Sequence, residues 1–109
     1  IYGTGKNIRD WIFVDDHCTA VYSVLLDGKS GESYNISANN ELDNITIVEK
    51  ILEIMGKSTD LIEFVDDRPG HDLRYSLDSS KIRHSLKWNE KNTFDEGIEK
   101  TIEWFNETN

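Results

Sequence analysis

Apolar residues recur every three or four positions in three long segments of the chain, a spacing that favours α-helices burying one face each. The first segment begins near Asp15 or Asp16, either of which could cap it. Gly28 follows its last apolar position and predicts a left-handed C-cap. We therefore expect a first helix between these residues, with core-facing positions at Cys18, Val21 and Leu25.

Two further helices begin with a Thr followed three residues later by a Glu, which is the signature of a capping box. Thr46 and Glu49 precede a helix predicted to end at Gly56, and Thr93 and Glu96 precede the last helix. The predicted core-facing positions are Ile47, Val48, Ile51, Ile54 and Met55 in the earlier helix, and Phe94, Ile98, Ile102 and Phe105 in the last.

Strand-forming residues are confined to short runs of β-branched and aromatic side chains. These runs predict strands at Ile8–Val14, Glu32–Ser37 and Leu61–Val65, and a brief extended stretch at Arg74–Leu77. A polar loop, Ala38–Asn44, is predicted between the second strand and the helix that follows.

A short helix, capped by Asp78 or Ser79 and carrying Ile82 and Leu86, makes helices more numerous than strands. The predicted fold class is α/β, in the form of a small, largely helical α+β subdomain with short strands. No glycine-rich turn joins a strand to a helix, so the dinucleotide-binding signature is missing. Residues 1–109 contain no linker or repeat and are predicted to form one unit without a Rossmann domain for NAD.

The chain carries 21 acidic residues against 12 Lys and Arg, a formal charge of -9. Such a charge repels nucleic acid and anionic membrane surfaces at long range. The single cysteine, Cys18, cannot form an intrachain disulfide, and no apolar run approaches the roughly 20 residues that span a bilayer. We expect a cytoplasmic protein with neither nucleic acid nor membrane among its partners.

The segment Arg68-Pro69-Gly70-His71-Asp72 is the strongest candidate for a binding loop. Proline disfavours helical geometry for the residue before it, and glycine removes a side chain beside the loop. The loop then offers a guanidinium and an imidazole, two groups that suit a phosphate. An equally weighted alternative is a surface turn in which Arg68 pairs with a neighbouring carboxylate: Asp66, Asp67 or Asp72.

Three other residues are ambiguous from pattern alone. Arg9 lies in an apolar strand, where a solvated side chain is twice as common an outcome as one held at a ligand. Asn44 is more simply explained as a helix-capping or turn residue than as a ligand contact. Tyr2 could stack on a base or pack against the protein.

The remaining chemistry-bearing residues are better explained by structure. His17 and His84 lie on predicted helices without further residues at metal-ligand spacing, so no metal site is expected. Cys18 is predicted to be a small core residue. Trp88 and Trp104 are predicted to pack the terminal helices.

Several short motifs occur in one order along the chain: Tyr2-Gly3-Thr4-Gly5, Ile8-Arg9-Asp10-Trp11, Val14-Asp15-Asp16-His17, Tyr34-Asn35-Ile36, Asp67-Arg68-Pro69-Gly70-His71-Asp72 and the segment Thr93-Phe94 to Trp104. In this combination the sequence resembles the dTDP-glucose 4,6-dehydratases, which are extended short-chain dehydrogenases/reductases. The resemblance covers nearly the whole chain but only the C-terminal part of such an enzyme. The fold it implies is the substrate-binding subdomain of a Rossmann-type protein.

The resemblance also implies a function. Such enzymes use NAD to convert dTDP-glucose into a 4-keto-6-deoxy sugar nucleotide, a step of deoxysugar biosynthesis in the rhamnose pathway. NAD and the catalytic residues would then belong to an N-terminal part outside these 109 residues, and the full-length protein would be a homodimer. By the same resemblance, Arg9 and Arg68 contact the substrate diphosphate, Asn44 and His71 the nucleoside or its phosphate, and Tyr2 the base.

Two alternatives stay open at this point. The chain could belong to a UDP-sugar epimerase or decarboxylase of the same superfamily, with other base and sugar contacts. It could also be a stand-alone nucleotide-sugar-binding module. We expect a fragment of a longer enzyme that is itself inactive.

Overall fold

The computed structural model describes all 109 residues. It contains four α-helices and three short strands, so the predicted small α/β subdomain, largely helical with short strands, is confirmed. In chain order the elements are β1 (Ile8–Asp10), α1 (Val14–Asp27), β2 (Glu41–Asp43), α2 (Asn44–Ile54), a 3₁₀ turn (Thr59–Leu61), β3 (Arg74–Tyr75), α3 (Ser80–Leu86) and α4 (Phe94–Thr108).

The three strands form one sheet with β1 in the centre. Strand β2 runs antiparallel to β1, with Leu42 opposite Arg9. Strand β3 runs parallel to β1 on the other edge, where Tyr75 is opposite Arg9. Because β1 has a neighbour on both edges, its side chains are held in fixed directions.

The core lies between α1 and α3. Ala20, Ile82 and Trp88 are buried and in contact, and the Trp88 indole N–H donates to the Thr19 hydroxyl at 3.1 Å. The Arg83 guanidinium lies over the Trp88 ring at 5.0 Å from its centre. The predicted packing roles of Trp88 and Ile82 are thus confirmed.

Helix α1 differs from the sequence prediction at both ends. The strand before it ends at Asp10, so the run to Val14 is not all strand, and the N-cap is Phe13 without a side-chain hydrogen bond. Neither aspartate caps the helix, because Asp15 and Asp16 lie inside its first turn. Asp16 instead turns inward and is 2% exposed.

Gly28 ends α1 but is not a left-handed cap, since its φ is -65°. Its lack of a side chain matters for another reason: a Cβ there would lie 2.3 Å from the Val24 carbonyl oxygen. The position is therefore restricted to glycine by close approach of the backbone and not by a positive φ.

The predicted strand at Glu32–Ser37 does not form, and the predicted polar loop Ala38–Asn44 contains β2 instead. A strand needs a neighbour for its main-chain groups. Residues 41–43 find one in β1, whereas the main-chain N–H groups of residues 33–37 make no hydrogen bond.

Helix α2 is confirmed, but its predicted capping box is wrong. The Asp43 carboxylate accepts from the Thr46 main-chain N–H at 2.9 Å, so the cap is three residues before the position predicted. Gly56 follows the helix with a φ of +62°. Ile47 is buried and Met55 is 38% exposed, so the predicted core face loses one member.

The predicted strand at Leu61–Val65 is replaced by the 3₁₀ turn and irregular chain. Only Val65 pairs, in a single parallel bridge with Tyr2. The extended stretch predicted at 74–77 is confirmed in its first two residues as β3, and the short helix predicted after Asp78 or Ser79 is confirmed as α3.

Helix α4 begins with the predicted capping box: the Thr93 hydroxyl accepts from the Glu96 main-chain N–H, and the Glu96 carboxylate accepts from the Thr93 N–H, both at 3.2 Å. The end of the helix differs from the prediction. Trp104 is 63% exposed and Phe105 54%, so both side chains lie mostly at the surface and outside the buried core. No helix is both long and apolar enough to cross a bilayer.

The predicted apolar face of α1 points outward. Val21 is 48% exposed and Leu25 78%, and Cys18 is exposed instead of buried in the core. The helix is anchored by its opposite face, through Ala20. We call this outward surface the α1 apolar face and define it by Val14, Cys18, Val21, Tyr22, Leu25 and Leu26.

Candidate functional site

Arg9 is fixed between the two edge strands and reaches the segment that precedes β3. Its guanidinium donates to the Asp72 carbonyl oxygen at 2.9 Å and to its own neighbour, the Ile8 carbonyl oxygen, at 2.7 Å. The Ile8 main-chain N–H donates to the Leu73 carbonyl oxygen at 2.8 Å. Arg9 is therefore neither fully solvated nor fully free for a ligand, because it braces the Arg68–Asp72 loop.

Asn7 adds a second brace to the same loop. It is buried, and its side-chain N–H donates to the Asp72 carbonyl oxygen at 2.9 Å. Asn7 was not among the predicted site residues. A buried side-chain amide can donate to a main-chain oxygen of a loop that lacks another partner. The sequence alone does not show which loop Asn7 would contact.

The loop itself is a tight turn. The His71 main-chain N–H donates to the Arg68 carbonyl oxygen at 3.3 Å, and Gly70 has a φ of +71°, which L side chains rarely adopt. The Arg68 N–H donates to the Asp67 carboxylate at 2.9 Å. Pro69 and Gly70 thus give the turn that their residue types predicted.

Arg68 extends from this turn into solvent. Its guanidinium makes no hydrogen bond and no ion pair with the protein, so the alternative pairing with Asp66, Asp67 or Asp72 is not found. A planar, permanently charged group with five free donors on a braced turn can bind two oxygens of a phosphate or carboxylate at once.

His71 lies beneath the same turn. Its side chain is 5% exposed, and its Nδ1 lies 2.7 Å from the Asp67 carboxylate. Hydrogen bonding from His71 is the largest influence that holds the pKa of Asp67 below its ordinary value of 3.8. Asp67 therefore stays ionised at neutral pH, and an ionised carboxylate can only accept.

Tyr2 contacts His71 edge to face. The ring centres are 6.2 Å apart and the rings are inclined by 79°, within the geometry preferred by aromatic pairs. Tyr2 is 52% exposed, so one side of its ring remains available. Tyr2 is positioned by its bridge to Val65.

Asn44 lies apart from this group. It is the first residue of α2, and its main-chain N–H donates to the Asn7 carbonyl oxygen at 3.1 Å on the β2 side of β1. It does not cap α2, because Asp43 does. The structure thus brings Tyr2, Arg68 and His71 together, connects Arg9 to them through Asp72, and places Asn44 across the central strand.

These residues form an open surface and not an enclosed pocket. A cavity of about 100 Å³ lies beside Arg9, between β1 and the Ser76–Leu77 segment, but includes none of the other four. Gly3-Thr4-Gly5 is a turn before β1, with Gly5 packed on Ile45, and does not connect a strand to a helix. The described residues do not fit the phosphate turn of a dinucleotide.

Known proteins are similar to this chain over nearly its whole length. A sequence model of the family described as GDP-mannose 4,6 dehydratase matches residues 1–101. The dTDP-glucose 4,6-dehydratase 1 of Escherichia coli is 45% identical over 112 residues, covering 96% of this chain and 31% of that protein. The dTDP-glucose 4,6-dehydratase of Neisseria meningitidis is 44% identical over 116 residues, covering 96% and 33%.

Solved structures share the fold closely. The dTDP-glucose 4,6-dehydratase of Bacillus anthracis, solved with NAD, has a TM-score of 0.91 at 43% identity and covers 98% of this chain and 34% of its own. The UDP-glucose 4-epimerase of Thermotoga maritima, solved with UDP-glucose, also has a TM-score of 0.91, at 28% identity, covering 99% and 34%. The chain spans about a third of the length of the curated relatives it matches.

Proposed function

Because the chain belongs to the GDP-mannose 4,6-dehydratase family, we propose that it supplies the nucleotide-sugar-binding part of an NAD-dependent dTDP-glucose 4,6-dehydratase. The reaction converts dTDP-glucose into dTDP-4-keto-6-deoxyglucose with the loss of one water. We propose dTDP-glucose as the substrate because the relatives at 44% and 45% identity are named for it, whereas the UDP-glucose 4-epimerase is only 28% identical.

The observation that carries the proposal is the unpaired guanidinium of Arg68. In a chain with a formal charge of -9, a free arginine on a braced turn is the local feature that attracts an anion. We assign the diphosphate to Arg68 and the remaining donors of Arg9. His71 contacts the nucleoside or its phosphate, and the free side of the Tyr2 ring stacks on the base.

Asn44 is proposed as a further contact to the nucleoside or its phosphate. Its side chain makes no hydrogen bond within the protein and is free to bind a ligand that extends across β1. Binding the remote diphosphate firmly orients the sugar for the chemical steps. None of the five residues is proposed to take part in those steps.

NAD is proposed to bind to an N-terminal part outside these 109 residues, since Gly3-Thr4-Gly5 does not form a dinucleotide turn. The α1 apolar face supports this arrangement. It exposes Leu25 by 78% and Tyr22 by 61%, and monomeric surfaces rarely expose contiguous apolar area of this kind. The relatives are about three times as long, so they contain enough chain to cover it.

A second surface favours the same arrangement. The main-chain N–H groups of residues 33–37 have no hydrogen-bond partner, although Tyr34 and Ile36 alternate as in a strand. Main-chain groups of this kind are normally paired once they are buried. We propose that this segment adds to a strand of the NAD-binding part.

Substitution of the α1 apolar face tests the arrangement. Leu25→Glu, in the protein expressed at the full length of its gene, is expected to lower Tm because a carboxylate would be buried at the interface. Lys29→Glu, a charge change in the exposed loop after the helix, is the control and should leave Tm within a degree or two. Equal effects of the two variants would contradict the interface.

A turnover assay of the full-length protein tests the proposed reaction. With dTDP-glucose and NAD, mass spectrometry is expected to show a sugar nucleotide lighter by one water. UDP-glucose should be converted more slowly. An isomer of UDP-glucose, separated from it by chromatography, without dehydration of dTDP-glucose, would identify an epimerase of the same superfamily and overturn the proposal.

The proposal also includes a cytoplasmic homodimer that acts in deoxysugar biosynthesis, in the rhamnose pathway. The single exposed thiol of Cys18 and the absence of any possible intrachain disulfide are consistent with a reducing compartment. Light scattering of the purified protein tests the dimer, and fractionation of cells tests the location.

A further inference from the structure

Asp67 touches three parts of the candidate site, although it is not one of the five predicted site residues. Its carboxylate lies 2.7 Å from Nδ1 of His71 and accepts the Arg68 main-chain N–H at 2.9 Å. It also lies against Gly3, where a Cβ would be 3.0 Å from the carboxylate oxygen. One side chain therefore contacts the imidazole, the turn that carries the free guanidinium, and the turn that follows Tyr2.

The space for this carboxylate is provided by Gly3. Its φ is +58°, and its N–H donates to the Val65 carbonyl oxygen at 2.9 Å, so the two segments are locked side by side. Any larger residue at position 3 would be strained by its φ and would press on Asp67. The glycine and the aspartate are thus a matched pair.

The pairing determines what His71 can offer. Because the ionised carboxylate only accepts, Nδ1 must carry the proton, and the neutral ring then presents Nε2 as an unprotonated acceptor. Tyr2 packs on the ring at 6.2 Å and restricts its rotation. Nδ1 is not available to a ligand, and Nε2 is the nitrogen left for one.

We propose that Asp67 is a positioning residue of the nucleotide-sugar site: it holds the His71 ring in one orientation with Nε2 free, and it fixes the main chain of Arg68. The proposal rests on the proposed function and deepens it. It assigns the ligand-facing atom of His71 and explains why a buried imidazole and an exposed guanidinium three residues apart act on one ligand.

The first test needs no variant. In ¹⁵N NMR spectra of the full-length protein at alkaline pH, the neutral His71 ring is expected to be protonated at Nδ1. Assignment rests on the disappearance of the signal in His71→Ala. A ring found protonated at Nε2 would overturn the proposal, whatever the variants do.

The second test compares Asp67→Asn with Asp66→Asn, an adjacent exposed carboxylate that makes no hydrogen bond or ion pair. Calorimetry with dTDP as the probe is expected to show Kd raised about tenfold for Asp67→Asn, the effect of losing one charge-assisted hydrogen bond, and unchanged for Asp66→Asn. KM for the sugar nucleotide should rise with it, while kcat stays within about twofold.

Failure of this inference is separable from failure of the proposed function. If Arg68→Ala and His71→Ala weaken dTDP binding but Asp67→Asn does not, the site stands and the positioning role is overturned. If none of the three variants weakens dTDP binding, the proposed site itself is overturned. Weaker binding in all three, with a mixed His71 tautomer in Asp67→Asn, supports both.

Discussion

The Arg9 guanidinium donates a hydrogen bond to the Asp72 carbonyl oxygen, across 63 residues of sequence. The bond joins the central strand to the loop that carries Arg68, and Asn7 donates to the same oxygen. Since both donors come from the segment around β1, the position of the loop is set by the sheet. A charge that the sequence would place in solvent is in fact part of the support of the site.

Arg9→Ala is therefore expected to affect stability as well as binding. It removes two hydrogen bonds from a charged donor, but Asn7 keeps one bond to Asp72, so the loss should be roughly 1–2 kcal/mol. Urea unfolding monitored by Trp fluorescence gives the measurement. Arg74→Ala, which removes an exposed ion pair with Glu41, is the control and should cost under about 1 kcal/mol.

Arg68→Ala should weaken binding of dTDP without lowering stability. The guanidinium has no partner in the protein, so its removal is expected to leave the free energy of unfolding within about 0.5 kcal/mol. Kd for dTDP should rise roughly 10- to 100-fold, while Kd for NAD changes little. Lys29→Ala removes the same charge elsewhere and should change neither constant. Equal loss of dTDP and NAD binding would count against the assignment.

The helices could be predicted from the sequence because their signals are local. Apolar spacing and the Thr93–Glu96 capping box lie within a few residues of each other, and the observed α4 begins where they indicate. The outward α1 apolar face shows the limit of this signal. Periodicity identifies an apolar face but does not say whether the surface that covers it lies in the same residues.

The strands and the support of the site could not be predicted in the same way. Strand β2 is polar in sequence and forms because its main chain pairs with β1, where Leu42 lies opposite Arg9. The Arg68 turn follows from Pro69 and Gly70, which act locally. The bonds that hold it join residues far apart in sequence, and only the fold decides which carbonyl oxygen Arg9 reaches.

The cap of α2 offers a direct check of one corrected prediction. Asp43→Ala should destabilise the protein by about 0.5–2 kcal/mol, the usual cost of losing an N-cap, because its carboxylate accepts from the Thr46 N–H. Thr46→Ala keeps both the Asp43 carboxylate and the main-chain N–H that donates to it, so it should cost less. A larger loss for Thr46→Ala in urea unfolding would restore the capping box predicted from Thr46 and Glu49.

Low pH should remove the contribution of the Asp43 cap to the free energy of unfolding. Hydrogen bonds from Thr46, from its side chain and its main-chain N–H, hold the pKa of Asp43 below its ordinary value of 3.8. A lowered folded-state pKa means that the stabilisation is present above the unfolded pKa and is lost as pH falls through the folded one. The stability difference between wild type and Asp43→Ala should therefore shrink in that range. A difference that is independent of pH would contradict the cap.

Asp16→Asn tests the buried carboxylate at the start of α1. Asp16 accepts from the main-chain N–H groups of Lys91 and Asn92, at 2.9 and 3.2 Å, and from the Asn92 side chain. Asparagine has one side-chain oxygen that can accept, whereas the carboxylate has two. Its N–H₂ group would face one of the N–H donors of Lys91 or Asn92. At least one buried hydrogen bond is therefore lost, and the N–H group that made it is left unpaired.

The expected cost of Asp16→Asn is roughly 2–4 kcal/mol in urea unfolding. Asp15→Asn, in the same helical turn but exposed, should cost only the favourable charge at the helix start, about 0.3–1 kcal/mol. Because Asp16 holds the residues directly before Thr93, the larger loss should come with weaker docking of α4 and faster hydrogen exchange at its first turn. Similar losses for the two variants would mean that α4 is held by its own cap and apolar contacts instead.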